Sequence, residues 1–184
     1  AICDRLGVKP AAIKKGLESV KGVPGRIELL ETETPYRVIL DYAHSPDSLS
    51  NILSTVRQTT KSGRVIVLFG CGGDRDHDKR PIMGEIGGRL ADFSILTSDN
   101  PRSEDPGEIR QEIEKGIKRV ENAKYVVIEN RRKAIAYALE MARAGDVVVL
   151  AGKGHETYQE IKGVKHPFDE KVVVRELLEK TLVP

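Results

Sequence analysis

Arg64-Val65-Ile66-Val67-Leu68-Phe69-Gly70-Cys71-Gly72-Gly73 is the stretch that decides the fold. From Val65 to Phe69 it is apolar without alternation, the pattern of a strand buried on both faces, and the glycines that follow end it. Val147-Val148-Val149-Leu150 has the same character. Outward from these runs the chain alternates. Helices are predicted over 46–60, 82–90, 106–120 and 131–144, and they lead to strands over 64–69, 92–97, 124–128 and 146–151 respectively. A loop and a last helix over about 169–179 close the chain. Before the alternation, 26–30 and 36–41 read as a strand pair around the turn 31–35. This order predicts an α/β, Rossmann-like, doubly wound and mostly parallel sheet with helices on both faces.

Residues 1–21 read as helical, with Pro10 at a helix start and Ile13, Leu17 and Val20 on one face. Gly22-Val23-Pro24-Gly25 breaks that pattern and marks a boundary, so 1–21 is expected to be an appendage and 22–184 the main domain. A start at Ala1 suggests a piece cut from something longer.

Composition narrows the function classes. The 30 basic and 28 acidic residues are interspersed and leave a net charge of +2, which gives no nucleic-acid-binding face. No apolar stretch approaches the roughly 18 residues of a membrane helix, so no membrane partner is expected. Cys3 and Cys71 are isolated, and no leader is visible. These features predict a reducing, cytoplasmic location.

Four loops follow the carboxyl ends of predicted strands, where open α/β sheets bind ligands. In Asp41-Tyr42-Ala43-His44-Ser45-Pro46, capping of the next helix explains Ser45 and Pro46 but not Asp41 or His44. In Gly70-Cys71-Gly72-Gly73-Asp74-Arg75-Asp76, glycines let backbone amides approach an anion. Arg75, Lys79 and Arg80 also suit an anion, or else form a solvated basic loop. Asp74, Asp76, Asp78 and Glu85 fall at calcium-loop positions, but Lys79 replaces the required glycine and the arginines oppose a cation. Cys71 has no assignable partner for nucleophilic work and reads as a small buried residue. Asp99-Asn100-Pro101-Arg102 has polar groups steadied by Pro101 and a guanidinium fork suited to carboxylate or phosphate; any strand-to-helix turn also favours Asp, Asn and Pro. Ala151-Gly152-Lys153-Gly154-His155-Glu156 is not a phosphate loop, because Gly154 and Val147 stand where the Walker pattern needs Ser or Thr and Gly. The chain has no Walker motif, and its four histidines are too scattered for a zinc site.

Taken together, Gly25-Arg26, the Asp41–Pro46 loop, Gly70 to Asp76, Lys79-Arg80-Pro81, Asp99-Asn100-Pro101-Arg102 and Gly152-Lys153-Gly154-His155-Glu156 resemble the Mur ligase family in order and spacing. The resemblance runs from about residue 22 to the end and implies the third, C-terminal domain of such an enzyme, with 1–21 the tail of the central ATPase domain. It implies that ATP and Mg2+ serve the complete enzyme, the metal held mainly by the central domain, so the missing Walker motif is expected and this piece alone should not catalyse. The Asp-Asn-Pro-Arg motif implies meso-diaminopimelate as the incoming amino acid. Carried over by residue, Arg75, Asp99, Asn100, Arg102, Gly152 and Glu156 would bind it, and Arg26, Asp41, Tyr42 and His44 would lie at ATP. UDP-N-acetylmuramoyl-dipeptide would be bound through the other domains, and the protein is expected to be a monomer. The alternative reading is a free-standing amino-acid or nucleotide-binding module.

Overall fold

The computed structural model describes residues 2–20 and 22–182. Ala1 and Lys21, within the expected helical stretch 1–21, lie outside them. That stretch is two helices, α1 (Ile2–Arg5) and α2 (Pro10–Ser19), separated where Gly7 adopts φ 74°. Pro10 opens α2, as its fixed φ favours. Neither helix buries a residue, and Leu17 and Val20 are 71% and 62% exposed.

From Gly25 onward the alternation is as predicted. β1 (Glu28–Leu30) pairs antiparallel with β2 (Arg37–Asp41). There follow α3 (Pro46–Thr59), β3 (Val65–Phe69), α4 (Lys79–Leu90), β4 (Phe93–Leu96), α5 (Pro106–Ile117), β5 (Tyr125–Val127), α6 (Arg131–Met141) and β6 (Val147–Ala151). The strands form one sheet in the order β1-β2-β6-β3-β4-β5, parallel except for β1. Ser45 caps α3 in a reciprocal capping box with Ser48, and the Asp105 carboxylate caps α5.

Although β3 is buried throughout, its side chains still divide by a period of two. Val65, Val67 and Phe69 pack with Leu49, Ile52 and Leu53 of α3, Met83 of α4, and Ile109 and Ile113 of α5. Ile66 and Leu68 pack with Ala134, Ile135 and Ala138 of α6, and with Val173 and Val174 of a final helix, α7 (Glu170–Leu182). Each large side chain so buried contributes about 1.5–3 kcal/mol, so the core lies in two layers, one on each sheet face.

Several boundaries and one element differ from the sequence reading. α4 starts at Lys79, a turn earlier than expected, because Pro81 lies in the first turn where no amide partner is needed. α5 ends at Ile117, followed by short turns from Arg119 to Gly116 and Val120 to Ile117. α6 ends at Met141 because the Asp146 carboxylate binds the Arg143 amide at 2.9 Å and, with Gly145 at φ 86°, turns the chain. The segment expected to be a loop before α7 holds a hairpin of β7 (Tyr158–Ile161) and β8 (Val164–Pro167). Its two-residue turn, Lys162-Gly163, has φ of 50° and 76°, the twist that two-residue hairpins require.

β6 lies between β2 and β3, and its helix α7 covers the opposite face from α3 and α4. The loops after β2, β6, β3 and β4 therefore emerge side by side at the crevice where the winding reverses.

Candidate functional site

The loops after β3 and β4 approach backbone to backbone. Gly73 N donates to Asn100 O at 2.9 Å, and a Cβ on Gly73 would lie 1.9 Å from the Pro101 carbonyl oxygen. Gly73→Ala is therefore expected to push the loops apart and cost about 1–3 kcal/mol, a fall in melting temperature of about 2–12 °C; an unchanged thermal melt would show that the contact yields freely.

Arg80 ties the same loops from behind. Its guanidinium is fully buried and pairs with Glu104 and Glu112, each at 2.8 Å. The Arg80 hydrogen bond is the main reason that the Glu104 carboxyl is held below its ordinary range. Glu104 also accepts from the Asp74 amide, while Ser103 Oγ donates to Asp74 Oδ1 at 2.5 Å. Arg80 is thus neither an anion ligand nor a solvated charge. Cys71 is buried, and burial pushes its thiol up to about 12, which disfavours the thiolate and agrees with its reading as a small buried residue.

Asp99, Asn100, Arg102, Gly152 and Glu156 converge. Asn100 Nδ2 donates to Glu156 Oε2 at 2.9 Å. Asp99 Oδ2 stands 3.0 Å from where a Gly152 Cβ would be, and Gly152 has φ 113°. Arg102, at φ 51°, donates from Nη1 to the Gly73 carbonyl at 2.7 Å, and its Nε lies 3.6 Å from Glu160 Oε2. Its backbone is gripped by the hairpin, with the amide donating to Glu160 O at 3.1 Å and the carbonyl accepting from Lys162 N at 2.7 Å. Arg75 is exposed and donates to the Asp74 carbonyl at 2.9 Å. The two arginines therefore hold adjacent peptides, at Gly73 and Asp74, of one loop.

Five residues that the sequence reading left without a role complete this group. Lys153, 0% exposed, donates to Asn100 Oδ1 and Glu156 Oε2, both at 3.1 Å. Gln159 Nε2 donates to Asp99 O at 2.6 Å and Glu160 N to Asn100 Oδ1 at 2.9 Å. Beneath them Arg131 pairs with Glu170 at 2.9 Å, both side chains fully buried, and donates to Ala151 O at 2.8 Å and Ser98 O at 3.3 Å. Gly163 alone marks a turn near Gln159 and Glu160; nothing in local pattern marks Lys153 or Arg131.

Arg26, Asp41, Tyr42 and His44 form a second group on the far side of β6. Gly25, at φ 71°, runs so close to the β6 loop that a Cβ would lie 2.3 Å from His155 N. The Arg26 guanidinium lies 4.8 Å from the Tyr42 ring centroid, and the His44 and His155 rings lie 4.6 and 5.4 Å from it. Asp41 accepts from Ile27 N and Ala43 N, each at 2.8 Å, so its carboxylate fastens the Arg26 segment to the loop. Lys79 Nζ donates to His44 O at 2.9 Å. Burial, then the charges of Glu156 and Asp99, push the Tyr42 phenol up and keep it protonated. This side offers aromatic faces beside cations, and the first group offers acid and amide acceptors beside a guanidinium fork.

Among the described residues no group of three or more His, Cys, Asp or Glu is placed to hold a metal ion, and no helix is long and apolar enough to cross a membrane.

Residues 25–154 match the sequence pattern of the Mur ligase, glutamate ligase domain. The chain is 52% identical over 172 residues to the UDP-N-acetylmuramoyl-L-alanyl-D-glutamate–2,6-diaminopimelate ligase of Syntrophomonas wolfei subsp. wolfei, covering 94% of this chain and 35% of that protein. It is 52% identical over 177 residues to the protein of the same name from Caldanaerobacter subterraneus subsp. tengcongensis, covering 96% of this chain and 36% of that one. A solved structure of a ligase of that name superimposes with a TM-score of 0.80 at 40% identity, covering 98% of this chain and 36% of the other. The chain thus spans about a third of the length of the curated relatives it matches. With a sequence match across most of its length and identity above half to proteins of that group, the chain belongs to the Mur ligase family.

Proposed function

We propose that the chain is the C-terminal, amino-acid-selecting domain of a cytoplasmic, ATP-dependent ligase that joins meso-diaminopimelate to UDP-N-acetylmuramoyl-L-alanyl-D-glutamate in peptidoglycan synthesis. The observation that carries this reading is the convergence of Asn100, Arg102 and Glu156 beside Asp99 and Gly152. A diamino dicarboxylic acid needs forked cations for its carboxylates and acidic or carbonyl acceptors for its ammonium. Arg102 and Arg75 supply the first, and Glu156 with the Gly152 carbonyl the second.

In the complete enzyme the γ-phosphoryl group of ATP passes to the glutamate carboxylate, giving an acyl phosphate and releasing ADP. The free amine of diaminopimelate then attacks it, forming the amide and releasing phosphate. This chain's part is to hold the amine in line with the activated carbonyl, which removes much of the entropic barrier, and to present Arg26, Tyr42 and His44 to the nucleotide as the domains close. The remaining domains hold Mg2+ and the UDP-sugar. The uncovered apolar residues Leu17 and Val20 suit α1 and α2 as the tail of the preceding domain.

The test is turnover by the full-length gene product with ATP, Mg2+ and the UDP-linked dipeptide, offered meso-diaminopimelate or lysine. Selective use of diaminopimelate by the full-length protein, and no turnover by the 184-residue chain, is the expected result. Equal use of lysine would overturn the substrate assignment, and turnover by the short chain would overturn its role as a positioning domain.

A further inference from the structure

We propose that Lys153 is a positioning residue for the incoming amino acid: an internal counter-cation that orients Asn100 and Glu156 and leaves the acidic pocket with room for one substrate ammonium. The inference rests on the amino-acid reading above and assigns a role to a residue that would not itself form part of the fork-and-acceptor set.

An ammonium removed from water is costly unless paired and hydrogen-bonded. Lys153 Nζ is fully buried, with Asn100 Oδ1 and Glu156 Oε2 at 3.1 Å and Asp99 Oδ1 at 3.5 Å, while the Tyr158 ring centroid lies 5.8 Å away on the hairpin side. Gly152 and Gly154, at φ 113° and 54°, make the turn that places it there.

Two consequences follow for a ligand. Asn100 Oδ1 faces two donors, Lys153 Nζ and Glu160 N at 2.9 Å, so the amide cannot flip without setting its NH2 against them. Its Nδ2 is thereby aimed at Glu156 Oε2. Both internal hydrogen bonds to the Glu156 carboxylate then fall on Oε2, which leaves Oε1 as the oxygen offered outward. The charge balance is the second consequence. Asp99 and Glu156 bring two negative charges and Lys153 cancels one of them, so the pocket accepts one ammonium. Without Lys153 a more basic amino acid, lacking the distal carboxylate, gains at the expense of the zwitterion.

The experiment compares wild type, Lys153→Met and the charge-balanced double variant Lys153→Met/Asp99→Asn in the full-length protein. For Lys153→Met the KM for meso-diaminopimelate should rise about 100-fold, the scale of a misplaced binding group. The KM for ATP should stay within about threefold, and the preference for diaminopimelate over lysine should fall at least tenfold. The double variant covers the case in which the single one does not fold: its charge balance is restored, so the preference should return in part, but Asn100 and Glu156 stay unoriented and the KM for meso-diaminopimelate should remain at least tenfold above wild type. A preference at the wild-type level in Lys153→Met, or a wild-type KM for meso-diaminopimelate in the double variant, would overturn the proposal, as would a parallel rise of both KM values, which marks a merely structural lysine. A wild-type protein that does not select diaminopimelate fails the substrate reading instead, so the two failures are distinct.

Discussion

Replacing Arg102 by alanine in the full-length protein is expected to raise the KM for meso-diaminopimelate by about 30- to 1,000-fold, with little change in the KM for ATP. The range corresponds to about 2–4 kcal/mol, the cost of truncating one partner of a charge-assisted, partly desolvated pair. The side chain is 23% exposed and restrained at both ends of its guanidinium, by Gly73 O and by Glu160, so its fork is ordered before a ligand arrives and little entropy is spent on binding. Its backbone sits in the left-handed region at φ 51°, held there by hydrogen bonds to Glu160 and Lys162. Arg102→Lys should recover only part of the loss, because a point charge replaces a planar two-pronged donor. Steady-state kinetics with each amino acid decide the matter, and unchanged kinetics for Arg102→Ala would remove the specificity assignment.

The second large effect concerns stability. Arg131→Met is expected to destabilise the domain by about 3–5 kcal/mol, because it leaves the fully buried Glu170 without its partner, so that the carboxyl either bears an uncompensated charge or, its pKa being raised by burial, takes up a proton. For a domain of this size that lowers the melting temperature by about 6–20 °C. Both side chains are fully buried, and Arg131 also satisfies the carbonyls of Ser98 and Ala151. The same change thus loosens the loops after β4 and β6 that carry the amino-acid group. Arg131→Met combined with Glu170→Leu should recover most of the loss, since apolar replacement of both partners of a buried pair is often neutral or better. A thermal melt of the 184-residue chain checks this, and a double variant no more stable than the single one would show that the carbonyl contacts matter more than the ion pair.

The strand and helix order was legible because burial imposes a period on residues close in sequence. β3 and β6 are apolar on both faces, and the caps at Ser45 and Asp105 and the prolines at α2, α3 and α5 mark helix starts locally. The loops at the carboxyl edge were legible for the same reason, since each directly follows a recognisable strand. The loops that carry Asn100, Arg102 and Glu156 could therefore be picked out without coordinates, whereas the roles proposed for those residues came from the resemblance to the family. The β7–β8 hairpin was not seen, because its strands alternate weakly and β8 is exposed throughout.

What the sequence determined by itself was the doubly wound α/β architecture, the polar edge at the carboxyl ends of the strands, and kinship with the Mur ligases through motifs whose order and spacing survive in the linear chain. Only the tertiary structure decided which charges stay exposed and which face each other. Arg75, Lys79 and Arg80 are equivalent basic residues on paper, yet Arg80 is locked between Glu104 and Glu112 while Arg75 stays exposed at the rim. Lys153 lies between two glycines in a loop and is nonetheless buried against Asn100, 53 positions away. The reason is physical: burial of an apolar face follows local periodicity, whereas a buried charge is tolerated only where opposite charges and hydrogen-bond partners meet it, and here those partners come from loops that only the folded sheet brings together.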